Sequence, residues 1–216
     1  MAAVIVTAIV AQLSLSVSRA IGNGHDVVTV IANFFSFFTI LSNAASAIIL
    51  TWAAIWYFTR GTRASTEPRG LAIALASVTT YMIVTGLVYN TLLRGIELPQ
   101  GSEPIPWSNE TLHVIAPIFL LLDLFLGTLR RRLNWSAVLA IAVFPILWAV
   151  YTLVRGPLVT NPISGNPYWY PYPFMDPHNF DNGYLGVAVY IVGIAIAILA
   201  AGCLVVWIGR RRGARL

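Results

Sequence analysis

One threonine and one histidine inside apolar segments are the residues of this chain that could carry out chemistry together. Thr39 lies in the apolar stretch Phe34–Leu50, and His113 is the only histidine inside an apolar segment. A threonine hydroxyl is a weak nucleophile until a base removes its proton, and a neutral imidazole can remove that proton and later return it. The pair could support nucleophilic catalysis if the helices that carry Thr39 and His113 are neighbours.

Thr39 belongs to a stripe of polar side chains that recur at steps of three and four residues. The other members are Ser36, Ser42, Asn43 and Ser46. This spacing puts them on one face of a helix. A helix in lipid makes its own backbone hydrogen bonds, so the stripe must face protein, a water-filled cavity or a substrate. Because the first and third apolar segments carry similar polar stripes, we expect a polar cavity shared by the three helices.

Hydrogen-bond donors near Thr39 would be needed to stabilise the oxyanion of a tetrahedral intermediate. Asn43, one turn below Thr39, is the first candidate, and Ser42 and Tyr81 are further ones. At about 1.5 Å per residue, Thr39 lies about 9 Å and His113 about 6–9 Å below the outer membrane boundary. We expect the two residues to lie at the same level.

Asp123 is a carboxyl group that we expect near the middle of the membrane, where an unpaired charge is costly. We interpret it as a structural polar clamp that bonds to Asn43, Ser46 or the backbone, and a proton relay is the alternative. Asn109, near the start of the same helix, is a second structural polar residue.

Three arginines are expected at the outer rim of the bundle. They are Arg19, Arg94 and Arg155. A long cationic side chain at this level can extend to the phosphate headgroups of the lipid. Alternatively, one of these arginines pairs with the carboxylate of an amphiphilic substrate.

Membrane-spanning helices are the elements that must position these residues. The chain is 58% hydrophobic and only 10% charged, whereas about 25% of the residues of a soluble domain are charged. Six apolar segments are about long enough to cross a bilayer. They are roughly Ala3–Ile21, Asn33–Phe58, Leu71–Leu93, Leu112–Thr128, Ser136–Val154 and Tyr184–Ile208. We expect one all-α domain, a six-helix transmembrane bundle whose first helix is retained rather than cleaved as a signal peptide.

The distribution of arginine predicts the orientation of the bundle. The net charge of +5 is due to arginine, because the chain contains no lysine. If the chain crosses six times, most arginines lie on one side, and that side is expected to be the cytoplasm together with both termini. We therefore predict a multi-pass plasma-membrane protein without a nucleic-acid partner.

The segment Gly156–Gly183 is the longest predicted loop, and prolines alternate in it with tyrosine, tryptophan and phenylalanine. Proline prevents a regular helix there, and aromatic residues are typical of the lipid headgroup level. The loop is therefore either an interfacial belt or a lid over the outer mouth of the bundle.

No cofactor or metal ion is expected. One histidine within the membrane cannot supply the two axial ligands of a bis-histidine haem or the clustered ligands of a zinc site. The lone Cys203 provides neither a disulfide nor a cysteine framework.

Three motifs occur in order along the chain. They are FFSFFTILSN over residues 34–43, Asn109-Glu-Thr-Leu-His113 with the following APIFLLLDL run, and Tyr170-Pro-Tyr-Pro-Phe-Met-Asp-Pro. Together they resemble the androgen-induced-gene membrane family, in its bacterial branch. Mammalian members of that family hydrolyse fatty acid esters of hydroxy fatty acids with an intramembrane threonine and a histidine, which align with Thr39 and His113. The resemblance implies a hydrolase of lipid esters whose substrate comes from the bilayer.

Two other classes of protein stay open. A small proton-coupled transporter or channel would use the polar stripes as a permeation path, with Asp123 and His113 as coupling groups. The chain lacks the paired, interrupted helices that inverted-repeat carriers often show. A membrane scaffold would use every polar stripe for helix packing alone.

Overall fold

The computed structural model describes residues 1–96 and 104–212, which form a bundle of helices without strands. In chain order the main helices are α1 (Ala2–Gly22), α2 (Val27–Phe34), α3 (Phe38–Thr59), α4 (Arg69–Leu93), α5 (Pro106–Leu126), α6 (Ala137–Leu158) and α7 (Tyr184–Arg212). All except the eight-residue α2 are long and apolar enough to span a membrane. The predicted all-α fold with six transmembrane helices is confirmed.

The second predicted span differs from the expected continuous helix, because a turn over residues 35–37 separates α2 from α3. Within this turn the Ser36 carbonyl accepts a hydrogen bond of 2.9 Å from the indole Nε1 of Trp148, so a side chain of α6 satisfies it. The first turn of a helix has four N–H groups without partners in the helix. The break therefore brings the N–H donors of α3 inside the bundle.

α4 is the central helix of the bundle and packs against α3, α5, α6 and α7. It is also the most buried span, with 61% of its most apolar stretch inside the protein. A helix that is apolar on all sides is stable only when other helices or lipid surround it. α1 lies on the far side of α3 and completes the bundle.

The two ends of α3 mark two different regions of the molecule. The aromatic end consists of the first turn of α3 and the 159–183 loop. The charged end consists of Glu67, Asp123, Arg130 and Arg131, beyond the last turn of α3. Since α3 has 22 residues, the two ends are about 33 Å apart at 1.5 Å per residue.

The 159–183 loop folds inward over the start of α3. Trp169, Tyr170 and Tyr172 are all buried, and the ring of Phe37 packs edge-on against both Trp169 and Tyr172. Gly156 permits this close approach, because any Cβ at that position would overlap the ring of Tyr170. Since the aromatic side chains are buried, the structure favours the lid over the interfacial belt.

Candidate active site at the start of α3

A cavity of about 160 Å³ lies beside the first turn of α3. Carbon atoms of α4, α6, α7 and the 159–183 loop form nearly all of its wall. Four of the lining residues carry a hydroxyl group; they are Thr39, Thr85, Tyr89 and Tyr172. The cavity is thus apolar, unlike the polar one expected from the sequence. An apolar cavity of about 150 Å³ can hold a molecule of the size of benzene, so this one accommodates part of an acyl chain.

The cavity opens sideways to the outer surface of the bundle. Ile146 on α6 and Leu199 on α7 both line it, yet they are 61% and 44% exposed. The opening therefore lies between α6 and α7. An apolar molecule can reach the cavity through this opening without crossing the buried loop.

Of the five residues of the predicted stripe, Thr39 is the one that lines the cavity. It is the second residue of α3, and its backbone N–H donates to the hydroxyl of Tyr172 at 3.2 Å. Its own hydroxyl lies 3.3 Å from the same Tyr172 oxygen. One phenol therefore contacts both the nucleophile candidate and the nearest N–H donor of the helix.

The three oxyanion donors predicted from the sequence have their hydrogens directed elsewhere. The amide of Asn43 donates to the carbonyls of Thr39 and Leu112 at 2.9 and 3.0 Å. The hydroxyl of Ser42 donates to the Thr39 carbonyl at 3.1 Å. The hydroxyl of Tyr81 donates to the Ile141 carbonyl at 2.8 Å. A substrate oxyanion would have to compete with these backbone carbonyls for the hydrogens, and the role of Asn43, Ser42 and Tyr81 as oxyanion donors stays a prediction.

Asn43 instead connects the two helices that carry Thr39 and His113. Its side chain is fully buried and bonds to the carbonyl of Thr39 on α3 and to that of Leu112 on α5. Leu112 is the residue directly before His113. The expected proximity of the two helices is therefore found, and one amide group maintains it.

His113 is half-buried and held in one orientation by two contacts. Its Nδ1 lies 2.9 Å from the carbonyl oxygen of Asn109, which can only accept. Nδ1 therefore carries the hydrogen, and Nε2 keeps a free lone pair that can accept a proton. The imidazole also stacks on the ring of Tyr89 with 3.9 Å between centroids. Since the side chain of Asn109 donates to the Tyr89 hydroxyl, Asn109 holds both rings in place.

A proline shapes the backbone around His113. Pro117 has no N–H, so the carbonyl of His113 lacks its usual helical partner. The helix widens into a π turn over Thr111–Ile115, and the side chain of Asn90 donates to the His113 carbonyl at 3.5 Å. Gly86 permits the close approach of α4, because a Cβ there would lie 3.2 Å from Pro117. Single π turns of this kind are frequent at functional sites.

Thr39 and His113 are not hydrogen bonded to each other in the described structure. The Thr39 hydroxyl contacts Tyr172, and His113 contacts Asn109 and Tyr89. Tyr89 lies between the imidazole and the cavity, since it stacks on one and lines the other. Hydrogen bonds between catalytic groups often form only when substrate is bound.

The three arginines predicted at the rim lie outside the cavity wall. Arg94 forms an ion pair of 3.0 Å with Glu110. Arg155 donates to Asn33 at 2.8 Å and lies over the ring of Trp169. Arg19 is exposed in the last turn of α1. Arg94 and Arg155 are thus occupied by groups of the protein itself, and a substrate carboxylate would have to displace those groups.

Asp123 lies at the charged end rather than at mid-membrane, because α5 ends only three residues later. It pairs with Arg130, whose guanidinium is also 3.9 Å from Glu67. Arg131 adds a hydrogen bond of 2.6 Å to the Glu67 carbonyl. The expected contacts of Asp123 with Asn43 or Ser46 are absent from the described structure. The acidic group acts as a clamp, with an arginine as its partner.

The polar residues of α1 contact the start of α5 instead of the cavity. Gln12 accepts a hydrogen bond from the backbone N–H of Ile105 at 2.8 Å. Ser108 donates to the carbonyl of Ala8 at 2.8 Å. These contacts fix α1 to the start of α5. Within the described residues, no cluster of histidine, cysteine and acidic groups could hold a metal ion.

Comparison with known proteins gives no match among family models, curated proteins or solved structures. The function of the chain must therefore be inferred from the positions and contacts of its own residues.

Tyr172 is the site residue that the sequence did not predict. It is 133 positions away from Thr39, and no periodicity relates the two. The one signal in the sequence is the aromatic loop itself, since a buried tyrosine hydroxyl requires a hydrogen-bond partner inside the protein.

Proposed function

We propose that the chain is an intramembrane hydrolase of lipid esters, in which Thr39 is the nucleophile and His113 is the base. The observation that carries the proposal is the position of the Thr39 hydroxyl on the wall of an apolar cavity, with His113 on the neighbouring helix beside the Asn43 contact. The resemblance to the androgen-induced-gene family adds the class of substrate, fatty acid esters of hydroxy fatty acids.

The apolar cavity suits the acyl part of such a substrate. Burying each methylene group of a chain contributes about 0.8 kcal/mol, so a cavity lined by carbon binds acyl chains without any polar contact. The opening between α6 and α7 supports entry of the substrate from the surrounding lipid. A transported ion or polar solute would find no comparable stabilisation in this cavity.

The reaction proceeds in two steps. The Thr39 hydroxyl adds to the ester carbonyl carbon while Nε2 of His113 takes the hydroxyl proton, so that an O–C bond forms and the carbonyl π bond breaks. Collapse of the intermediate breaks the bond to the leaving alkoxide, which receives the proton from His113. Water then attacks the acyl-threonine carbonyl carbon while His113 takes its proton, and collapse breaks the acyl–oxygen bond to Thr39, which regains a proton from His113 as the fatty acid leaves.

The test is hydrolysis of a branched fatty acid ester by the purified protein in lipid nanodiscs. Thr39→Ala and His113→Ala should each lower kcat by about 10⁴-fold or more, as removal of a nucleophile or base does in other hydrolases. Rapid quenching followed by mass spectrometry should detect an acyl group on the peptide that contains Thr39.

Two matched variants control for general damage. Thr51→Val removes a hydroxyl from the helix that also carries Thr39. This hydroxyl bonds only to the backbone carbonyl of Ala47, one turn earlier in the helix. His25→Ala removes an imidazole from the turn before α2. Both should keep wild-type turnover. Turnover that persists in Thr39→Ala and His113→Ala would reject the proposed function, and proton-coupled uptake into sealed liposomes without ester cleavage would support a transporter.

A further inference from the structure

The Tyr172 phenol has a position that packing alone does not explain. Its ring is held by Phe37, Trp148 and Phe174, with centroid distances of 5.5, 5.9 and 5.1 Å. Phenylalanine would make the same ring contacts. The hydroxyl adds one feature: it reaches Thr39 and lies 3.2 Å from its nitrogen and 3.3 Å from its Oγ1.

The oxyanion of an ester hydrolysis step forms next to the nucleophile. Its oxygen must lie about 2.7–3.1 Å from its donors. The Thr39 nitrogen and the Tyr172 oxygen are 3.2 Å apart, so one substrate oxygen can lie within that distance of both. The start of α3 adds a partial positive charge at the same place.

The donors predicted from the sequence are less suited to this task. Asn43, Ser42 and Tyr81 direct their hydrogens to backbone carbonyls. The hydroxyl of Thr85, which also lines the cavity, is 3.1 Å from Ser42. Tyr172 differs from them because its partner is the nucleophile candidate itself.

The Tyr172 phenol is protonated at neutral pH. Burial raises the pKa of Tyr172 above its ordinary value of 10.0, although the hydrogen bonds with Thr39 act in the opposite direction. A protonated phenol can donate one hydrogen bond and accept others. Tyr172 is therefore available as a donor throughout the working range.

We infer that Tyr172 is a catalytic residue whose hydroxyl, together with the Thr39 backbone N–H, donates hydrogen bonds to the oxyanion of the tetrahedral intermediate. This inference depends on the proposed function. The substrate carbonyl oxygen lies beside the two donors and replaces the hydrogen bond between them, gains negative charge as Thr39 attacks, and loses it when the leaving alkoxide departs. The phenol keeps its proton throughout.

The test is Tyr172→Phe, which removes one oxygen and keeps the ring. We expect kcat to fall about 10²–10³-fold with KM nearly unchanged, as for the loss of an oxyanion donor in other enzymes. A long-chain trifluoromethyl ketone forms a tetrahedral adduct with the nucleophile and mimics the intermediate. Its inhibition constant should rise by the same factor as kcat/KM falls, because both measure binding of the transition state.

Tyr170→Phe is the matched control, since it removes a phenol two residues away that bonds to Tyr184 at 3.1 Å. It should keep wild-type kinetics. Wild-type kcat in Tyr172→Phe would overturn the inference, and so would a raised KM with kcat unchanged, which indicates a packing role. If Thr39→Ala is inactive in the same assay, either result leaves the proposed function intact. If Thr39→Ala is active, the proposed hydrolase function itself is rejected.

A second substitution preserves the test if Tyr172→Phe does not fold. 3,5-Difluorotyrosine introduced at position 172 keeps the hydroxyl and lowers the pKa of the phenol. Activity should then decline as pH rises through the ionisation of that phenol, while the wild type shows no decline in that range. Identical pH profiles for the two proteins would contradict a hydrogen-bond donor at this position.

Discussion

The aromatic end and the charged end of the bundle both bury polar groups, and they do so in different ways. At the charged end, Asp123, Glu67 and Arg130 satisfy one another, and the guanidinium of Arg130 is only 10% exposed. At the aromatic end, the hydroxyls of Thr39 and Tyr172 bond to each other next to an open cavity. The groups at the charged end are enclosed by their ion-pair partners, whereas the hydroxyls at the aromatic end border the cavity.

This difference distinguishes a structural polar cluster from a candidate reaction site. Opposite charges that fill their own surroundings hold loops and helix ends together but leave no room for a substrate. Neutral hydroxyls beside an apolar cavity are accessible to a substrate and are stable without a counter-ion. We therefore expect substitutions at the charged end to change stability, and removal of the Thr39 or Tyr172 hydroxyl at the aromatic end to change activity.

The largest effect on stability is expected for Arg130→Met. The change removes the cation that the buried Glu67 shares with the partly exposed Asp123, and removal of one partner from a buried ion pair typically costs about 3–5 kcal/mol of unfolding free energy. Chemical unfolding in detergent micelles would measure this loss. Turnover per folded molecule should stay at the wild-type level.

The triple variant Arg130→Met, Glu67→Gln, Asp123→Asn tests the physical cause of that loss. It removes both carboxylates along with the cation, so most of the lost stability should return. If the triple variant is as unstable as the single one, packing of the arginine side chain is the cause. A loss of activity in the single variant would contradict the division between the two ends.

Asn43→Ala is expected to affect both properties. It removes one hydrogen bond within α3, to the Thr39 carbonyl, and one between α3 and α5, to the Leu112 carbonyl, and should cost about 1–3 kcal/mol. Turnover should also fall, because His113 follows directly after the Leu112 carbonyl that Asn43 contacts. Ser46→Ala is the control, since the buried Ser46 hydroxyl bonds only within α3. Equal turnover in Asn43→Ala and the wild type would show that this contact does not position the histidine.

Ala149→Phe should change the chain-length preference of the hydrolase. Ala149 lines the cavity on α6, so a phenyl ring there occupies space that an acyl chain would use. Excluding two methylene groups costs about 1.6 kcal/mol, or about a tenfold loss of kcat/KM for long chains. Esters of short acids should be hydrolysed as before. The same loss for short and long chains would indicate that the acyl chain binds elsewhere.

The smallest expected effect is the pH dependence of folding stability that arises from Glu67 at the charged end. Burial raises the pKa of Glu67 above its ordinary value of 4.5, despite the opposing effect of Arg130. The folded state therefore holds the proton of the Glu67 carboxyl more tightly than the unfolded state does. The stability that this proton contributes is fully present below the unfolded pKa of Glu67 and is lost as pH rises through the folded pKa.

Thermal unfolding between pH 4 and pH 8 would measure this dependence. Glu67→Gln, which can still accept the hydrogen bond from the Arg131 N–H, should reduce the decline of the melting temperature over that range. An unchanged decline in Glu67→Gln would assign the effect to another group. Asp123 and the two arginines, Arg130 and Arg131, are the charged groups nearest to Glu67.

The six spans and the positions of Thr39 and His113 within apolar segments could be predicted because they are local properties. Whether a segment requires lipid depends on its own composition and length. The stripe around Thr39 follows from helical periodicity. The break at residues 35–37 was not predictable in the same way, because the partner of its Ser36 carbonyl is the indole of Trp148, more than a hundred positions along the chain.

The sequence by itself therefore determined a six-helix bundle with a threonine and a histidine on apolar helices. Only the tertiary structure decided the partners of the polar groups: Tyr172 for Thr39, Leu112 for Asn43, and Arg130 for Asp123. The physical reason is that periodicity specifies which face of a helix is polar, whereas the packing of distant segments specifies what that face contacts. The candidate site arises where such packing left a cavity beside the first turn of α3.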